Sequence, residues 1–201
     1  MTYGAQVDET VVLRDGRSVR IRPVRADDAE RIIAMHEGFS ARTVRRRFFS
    51  SLPHLPAEQA RRFAEVDGTK RVALVAEADS GALVAVARYD CLPAPRGQAR
   101  PPVAAEFAIV VSDDYQHHGL GVALLTRLVA VARDNGVDQF SADVLMDNRP
   151  MLATFRDAGL TYTAHAEGGV VHLELPLPKR ESVTSADVTS ADPGPAAEPP
   201  R

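Results

Sequence analysis

The chain opens on two short runs of alternating apolar and polar residues, "TVVLR" and "SVRIRPV", hinged on Asp15-Gly16. A period of two puts alternate side chains on opposite faces of a strand, and Asp-Gly tolerates the positive φ of a tight turn, so the first 24 residues predict a hairpin. The period then lengthens. Asp27 and Asp28 favour a helix N-terminus, Ile32, Ile33, Met35 and His36 follow, and Gly38 stops it. Ser40 can cap a second short helix that carries Phe48 and Phe49, and Pro56 opens a third, "PAEQARRFAEV", ending near Gly68.

Strands dominate next. "RVALVAEA", "ALVAVARYD" and "PVAAEFAIVV" are short and rich in Val and Ala, and they are separated by Asp79-Ser80-Gly81 and the loop "LPAPRGQARPP". A long helix is expected from about 119 to 135, with Leu120, Ala123, Leu124, Leu128 and Val131 on one face and Asn135-Gly136 as its stop. The strand "QFSADVLM", a helix "RPMLATFRDA" ended by Gly159, and a closing pair "LTYTAHA" and "VVHLELPL" around Gly168-Gly169 complete the pattern. The order ββααα-βββ-α-β-α-ββ mixes hairpins with two β-helix-β crossovers. It predicts an α/β fold, a mixed sheet with helices on both faces, and excludes a purely parallel doubly wound sheet. One domain is expected over residues 9–178, after a flexible 1–8. The tail 179–201 repeats VTSAD and holds no aromatic residue, so disorder is expected there.

Composition changes this picture little. A chain of 201 residues buries about two thirds of its extended surface and needs no staple. The lone Cys91 excludes an internal disulfide and fits a reducing compartment. No signal peptide and no apolar run near the roughly 20 residues of a membrane span is present, so the cytoplasm is expected. The net charge of −3 gives nothing global to attract nucleic acid. Locally, Arg42, Arg45, Arg46 and Arg47, followed by Arg61 and Arg62, read as a solvated helix face or as a dock for an acidic ligand or protein partner. The six histidines show no zinc spacing with each other or with Cys91, and no metal is expected.

The chemistry concentrates in "VVSDDYQHHGLG", where a strand becomes a helix. A helix starting near 119 offers unpaired N–H groups, those of Leu120, Gly121 and Val122, and the positive end of its dipole. Gly119 and Gly121 lack a Cβ, so a phosphate can approach the backbone. Gln116 can donate further hydrogen bonds, and His117 and His118 can add partial charge. The segment reads as a pyrophosphate cradle, with a plain structural turn as the alternative. Two other phosphate motifs fail: there is no Gly-Lys-Ser/Thr, and Leu124 stands where a dinucleotide fingerprint needs its third glycine.

"VVSDDYQHHGLG" resembles the acyl-CoA pyrophosphate motif of the GNAT superfamily of N-acetyltransferases, Gln/Arg-x-x-Gly-x-Gly/Ala after a strand. "DNRPMLATFRDAGL" resembles that family's second landmark, here Asn148, Gly159 and Leu160, and the similarity spans roughly residues 9 to 177. "VRIRPVRADD", "FSARTVRRRFF", "VAVARYD" and "AEFAIVVSDDYQHHGLG" together resemble the bacterial protein lysine acetyltransferase (Pat-type) branch. The resemblance implies a mostly antiparallel sheet whose central parallel strands splay apart. Acetyl-CoA would lie in the gap, its pantetheine arm along Ile109, Val110 and Val111 and Asn148 on the far side. The acceptor would be a primary amine, by the narrower resemblance a protein lysine, and the oligomeric state stays open, a homodimer included. Members of the branch are often fused to other domains. With neither a cyclic-nucleotide nor a synthetase-like domain here, a bare catalytic domain is expected.

In that branch the proposed general base falls on Glu106, which interrupts the apolar run Val103 to Val111. The alternative is a solvent-facing glutamate at a strand end. The chemical need is plain: a lysine of pKa about 10.4 is neutral in only about 1 in 2,500 molecules at pH 7, a handicap near 4.6 kcal/mol. A glutamate of pKa about 4.3 is a weak base for that task. Partial burial that raises Glu106 and depresses the amine, with a water between them, is therefore expected. Many superfamily members carry a Tyr seven residues after the Asn as general acid. This chain has Phe155, which donates no proton, and Tyr115 and Tyr162 are candidates that read more simply as packing residues. A covalent route through Cys91 would need a His and a carboxylate beside it. The competing functions are a small-molecule amine acetyltransferase and a non-catalytic acyl-CoA-binding module, and the latter has no need of Glu106.

Overall fold

A computed structural model describes residues 7–94 and 103–178; the expected disordered tail and the residues before Val7 lie outside that span. The strands are β1 (Glu9–Val12), β2 (Ser18–Pro23), β3 (Arg71–Ala78), β4 (Leu83–Cys91), β5 (Ala104–Val111), β6 (Gln139–Leu145), β7 (Thr163–Glu167) and β8 (Val170–Pro176). The helices are α1 (Ala29–Glu37), α2 (Ala41–Phe48), α3 (Ala57–Ala64), α4 (Leu120–Asp134) and α5 (Arg149–Asp157). The strands form one sheet in the order β1-β2-β3-β4-β5-β6-β8-β7. Every pairing is antiparallel except β5 with β6. The predicted class is the observed one, with boundaries within a residue or two of expectation in most elements.

Two elements start or stop elsewhere for local reasons. The third helix ends at Ala64, because Glu65 turns extended and Asp67 Oδ1 then accepts the N–H groups of Thr69, Lys70 and Arg71 at 2.8, 2.8 and 2.9 Å. Leu160 does not begin a strand. Its N–H bonds the Phe155 carbonyl across Gly159, whose φ of +72° closes α5 as a Schellman motif.

The helices cover both faces of the sheet. On one face Leu120, Leu124, Leu125, Leu128 and Val131 of α4 pack with Phe107, Phe140 and Phe155 in the larger core. On the other, Ile32, Met35, Ala60 and Ala64 of α1 and α3 pack on Ala73 and Val75. Successive residues of β5 therefore face opposite layers: Ala105, Phe107 and Ile109 look toward α4, while Ala108 and Val110 look toward α1 and α3. Glu106, in the same alternation, points toward the α1–α3 side.

A buried ion network ties β2 to the start of α1. Arg22, 0% exposed, donates to Asp28 from Nη1 and Nη2 at 2.7 and 2.8 Å and to Glu77 from Nη2 at 2.7 Å. Desolvation works against the charged form of Asp28, yet its bonds to Arg22 and to the Arg25 N–H hold the carboxyl below its ordinary value of 3.8. The sequence suggested only a dipole role for this aspartate. No helix of the described residues is long and apolar enough to cross a membrane.

Candidate active site

The parallel pair is what opens the sheet. β5 and β6 are in register for three residues only, Ala104 with Gln139, Ala105 with Phe140 and Glu106 with Ser141. Past that point β5 stays paired with β4 as far as Val111, and β6 with β8 as far as Leu145. Each strand follows its outer neighbour, and between them lies a V whose wall is a sheet edge with unpaired backbone groups.

A cavity of about 590 Å³ occupies this V, within the size range of small-molecule sites. Of the residues expected to bind the cofactor, Ile109, Val110 and Val111 form one wall, Asn148 lies across from them, and Gln116, His117, Gly119, Gly121 and Val122 close one end. Leu120 and His118 are not part of the lining. The Leu120 side chain is 1% exposed in the core, so only its backbone N–H is available to a ligand. His118 turns away to Asp15, with Nδ1 3.3 Å from Oδ2.

The loop geometry gives each glycine a local structural setting. Gly119 caps α4 with φ +89°, a conformation strained for any other residue, so the backbone itself requires glycine there. A Cβ on Gly121 would sit 3.5 Å from Thr154 Cγ2 and 4.0 Å from Val111 Cγ2, ordinary contact distances inside the V. A Cβ would therefore fit at Gly121, taking up part of the space between β5 and α5. The first helical bond runs from the Ala123 N–H to the Gly119 carbonyl at 3.0 Å, which leaves the N–H groups of Leu120, Gly121 and Val122 outside the helical ladder.

Two distant elements hold this loop. The tip of the N-terminal hairpin docks on it: the Arg14 N–H donates to the His118 carbonyl at 3.1 Å, Arg17 Nη2 donates to the Asp114 carbonyl at 2.7 Å, and the Arg17 guanidinium lies 4.0 Å over the Tyr115 ring. Arg14 lines the cavity beside Gly119. Sequence reasoning missed Arg14, since nothing local links residue 14 to a loop a hundred residues on. From the other side, α2 spans the V. Asp113 accepts from Ser40 Oγ and Thr43 Oγ1 at 2.6 and 2.8 Å, while Arg45 and Arg46 reach the side chain and carbonyl of Asp147 at 3.2 Å each. The Gln116 amide is committed within this bracket, donating to Thr43 Oγ1 at 3.0 Å and the Val111 carbonyl at 2.9 Å. Its side chain braces the loop instead of pointing donors at a ligand.

Glu106 stands at the fork, the last residue of β5 in register with β6, and Asp90 of β4 is its partner on the other side. The expected partial burial is absent: Glu106 is exposed. The α1–α3 face above it is open to water, and no apolar wall encloses the carboxylate. Phe155, at the position of the family's tyrosine, is 0% exposed and packs edge-on against Phe107 and Tyr162. Tyr115 lines the cavity under Arg17, and Tyr162 does not line it. Burial, with Asp67 adding to it, pushes the Cys91 thiol up, away from the thiolate a nucleophile needs. Among the described residues no group of His, Cys, Asp and Glu is placed to hold a metal ion.

The sheet splits at its parallel pair, a cavity fills the split, and a helix N-terminus lies at its mouth. Residues 40–160 match the acetyltransferase (GNAT) family. The acetyltransferase Pat of Mycolicibacterium smegmatis is 32% identical over 174 residues, 86% of this chain and 50% of that protein, so the chain spans half the length of that relative. The GNAT domain of S. lividans PAT superposes with a TM-score of 0.77 at 40% identity, covering 86% of this chain and 98% of that one. At 19% identity, the acetyltransferase yncA of Salmonella typhimurium, solved with its cofactor acetyl-CoA, shares the fold with a TM-score of 0.63, covering 82% of this chain and 96% of that one. The chain belongs to the GNAT acetyltransferase family. Within it, the chain is similar to the Pat proteins.

Proposed function

We propose that this protein transfers the acetyl group of acetyl-CoA to a lysine side chain of a protein, with Glu106 as general base. The observation that carries the reading is convergence. Nine residues expected to bind the cofactor, drawn from β5, the loop before α4, the first turn of α4 and the N-cap of α5, line one cavity in the V, beyond the fork where Glu106 stands. Unpaired N–H groups of the first turn of α4 suit the pyrophosphate, with the Arg14 guanidinium beside them. The open edge of β5 suits the amide-bearing pantetheine arm. Acetyl-CoA supplies the thioester: the acceptor nitrogen forms a C–N bond as the C–S bond breaks, releasing coenzyme A thiolate and the proton of the amine. Glu106, exposed at the fork, takes that proton through water. No side chain at position 155 returns one to the thiolate, which takes its proton from solvent.

The hairpin contact gives a first expectation. Arg14→Ala raises KM for acetyl-CoA about tenfold, the usual worth of a charge-assisted bond, and leaves kcat within twofold. Steady-state kinetics with acetyl-CoA varied checks it, and an unchanged KM removes Arg14 from the phosphate site. The acceptor is tested by incubating a cell lysate with the enzyme and isotope-labelled acetyl-CoA, followed by mass spectrometry. Label on protein lysines is expected. Label on small metabolites alone would replace the acceptor with a free amine, and tight coenzyme A binding without any transfer would leave a binding module.

A further inference from the structure

Glu106 shares the α1–α3 face of the sheet with an ion cluster that the acetyl-transfer reading does not use. Arg71, Asp90 and Glu106 are cross-strand partners in one row, and Arg88 lies two pairs along on the same face, opposite Ala108. Asp90 is divided: Oδ1 accepts from Arg71 Nε at 2.9 Å, and Oδ2 accepts from Arg88 Nε and Nη2 at 3.0 and 2.6 Å. Arg47 comes down from α2 onto the same place. Its guanidinium lies 5.0 Å over Phe48 and 5.9 Å over Phe63, and that of Arg88 lies 4.7 Å over the same Phe63. Among the described residues Arg47 makes no hydrogen bond or ion pair. Desolvation, with the like charge of Arg88 beside it, pushes Arg47 down to about 10 against the pull of Glu106 and Asp90.

The charges do not balance. Arg47, Arg71 and Arg88 face Asp90 and Glu106, so three positive groups meet two negative ones and one positive charge is left over. The hydrogen bonds do not balance either. Arg88, 8% exposed, has its buried Nη1 without a partner, and His36, 2% exposed, has its buried Nδ1 without one, its Nε2 being engaged by the Leu52 carbonyl at 2.7 Å. Arg47, Arg88 and His36 line one recess of about 30 Å³ floored by Val110 and Phe63. That volume admits a small polar group such as a water or a carboxylate head. A water alone meets the hydrogen-bond demand and leaves the charge. A carboxylate meets the charge and the free donor together, through Arg88 Nη1 and the Arg47 fork. Arg47 also lines the large cavity, so a head held in the recess belongs to a molecule lying at the fork.

We propose that Arg47 and Arg88 form a carboxylate subsite beside Glu106, which takes an acidic group carried by one of the two substrates, the acyl chain or the amine acceptor. The inference rests on the reading that both meet at the fork. Two matched pairs test it. Succinyl-CoA and butyryl-CoA, of near-equal length, are compared by calorimetric Kd; lysine peptides differing only by Glu or Gln beside the target lysine are compared by kcat/KM with acetyl-CoA. In one pair the wild-type protein prefers the carboxylate member tenfold or more, and that pair identifies which substrate carries the acid. Arg47→Met brings the ratio within twofold, and Arg47→Lys retains part of it. Each ratio is internal to its variant, and an unchanged Tm excludes misfolding. Equal values in both wild-type pairs, or a preference that survives Arg47→Met, overturn the subsite. Failure to acetylate either peptide overturns the lysine reading instead, and the acyl pair, read as binding, then decides the subsite alone.

Discussion

Glu106→Gln lowers kcat by about a hundredfold or more between pH 6 and 9, the usual worth of a general base. The substitution keeps the shape of the side chain and removes its proton affinity. Because Glu106 is exposed and lies outside the cavity lining, KM for acetyl-CoA stays within twofold and Tm does not move. That combination separates a chemical role from a structural one. A variant with wild-type kcat across this range would end the assignment. Exposure also changes how the base must work. As a base it would reach the amine through water at the open fork, against a handicap of about 4.6 kcal/mol for an ammonium acceptor at pH 7.

Asp28→Asn is expected to be the most damaging change to stability away from the site. Arg22 and Asp28 are each 1% exposed at their side chains, and removing the Asp28 charge leaves the buried Arg22 paired with Glu77 alone. Such losses run to about 3–5 kcal/mol. At about 2–4 °C per kcal/mol for a chain of this size, Tm falls by about 10 °C in a thermal melt. Folding lowers the Asp28 pKa from 3.8, so the contribution is complete well above pH 3.8 and is lost as pH falls through that value toward the folded-state one. Glu77 is also held down by its bond to Arg22 and adds to the same acid limb. Wild-type Tm therefore drops more steeply on acidification below pH 4 than that of the variant. Equal slopes would show that Asp28 ionises alike in the folded and unfolded chain.

The features legible in the sequence are those that depend on neighbours within a few positions. Apolar period, caps and glycines located the five α-helices and eight strands of the described residues, and Gly119 marked the start of α4 because its φ of +89° is a local demand. The resemblance carried by Gln116 to Gly121 and by Asn148 rests on equally local spacing. What no local pattern holds is where separate strands part and what meets across the gap. The V exists because β5 follows β4 and β6 follows β8 after three shared residues, a competition between pairings set by the whole sheet. Arg14 reaches the loop from a hairpin tip over a hundred residues away, and the basic run of α2 divides into Arg45 and Arg46, tied to Asp147, and Arg47, left facing Arg88. The exposure of Glu106 belongs to the same group. An apolar run predicts a buried strand, but only the helices packed on each face decide which of its residues stays in water.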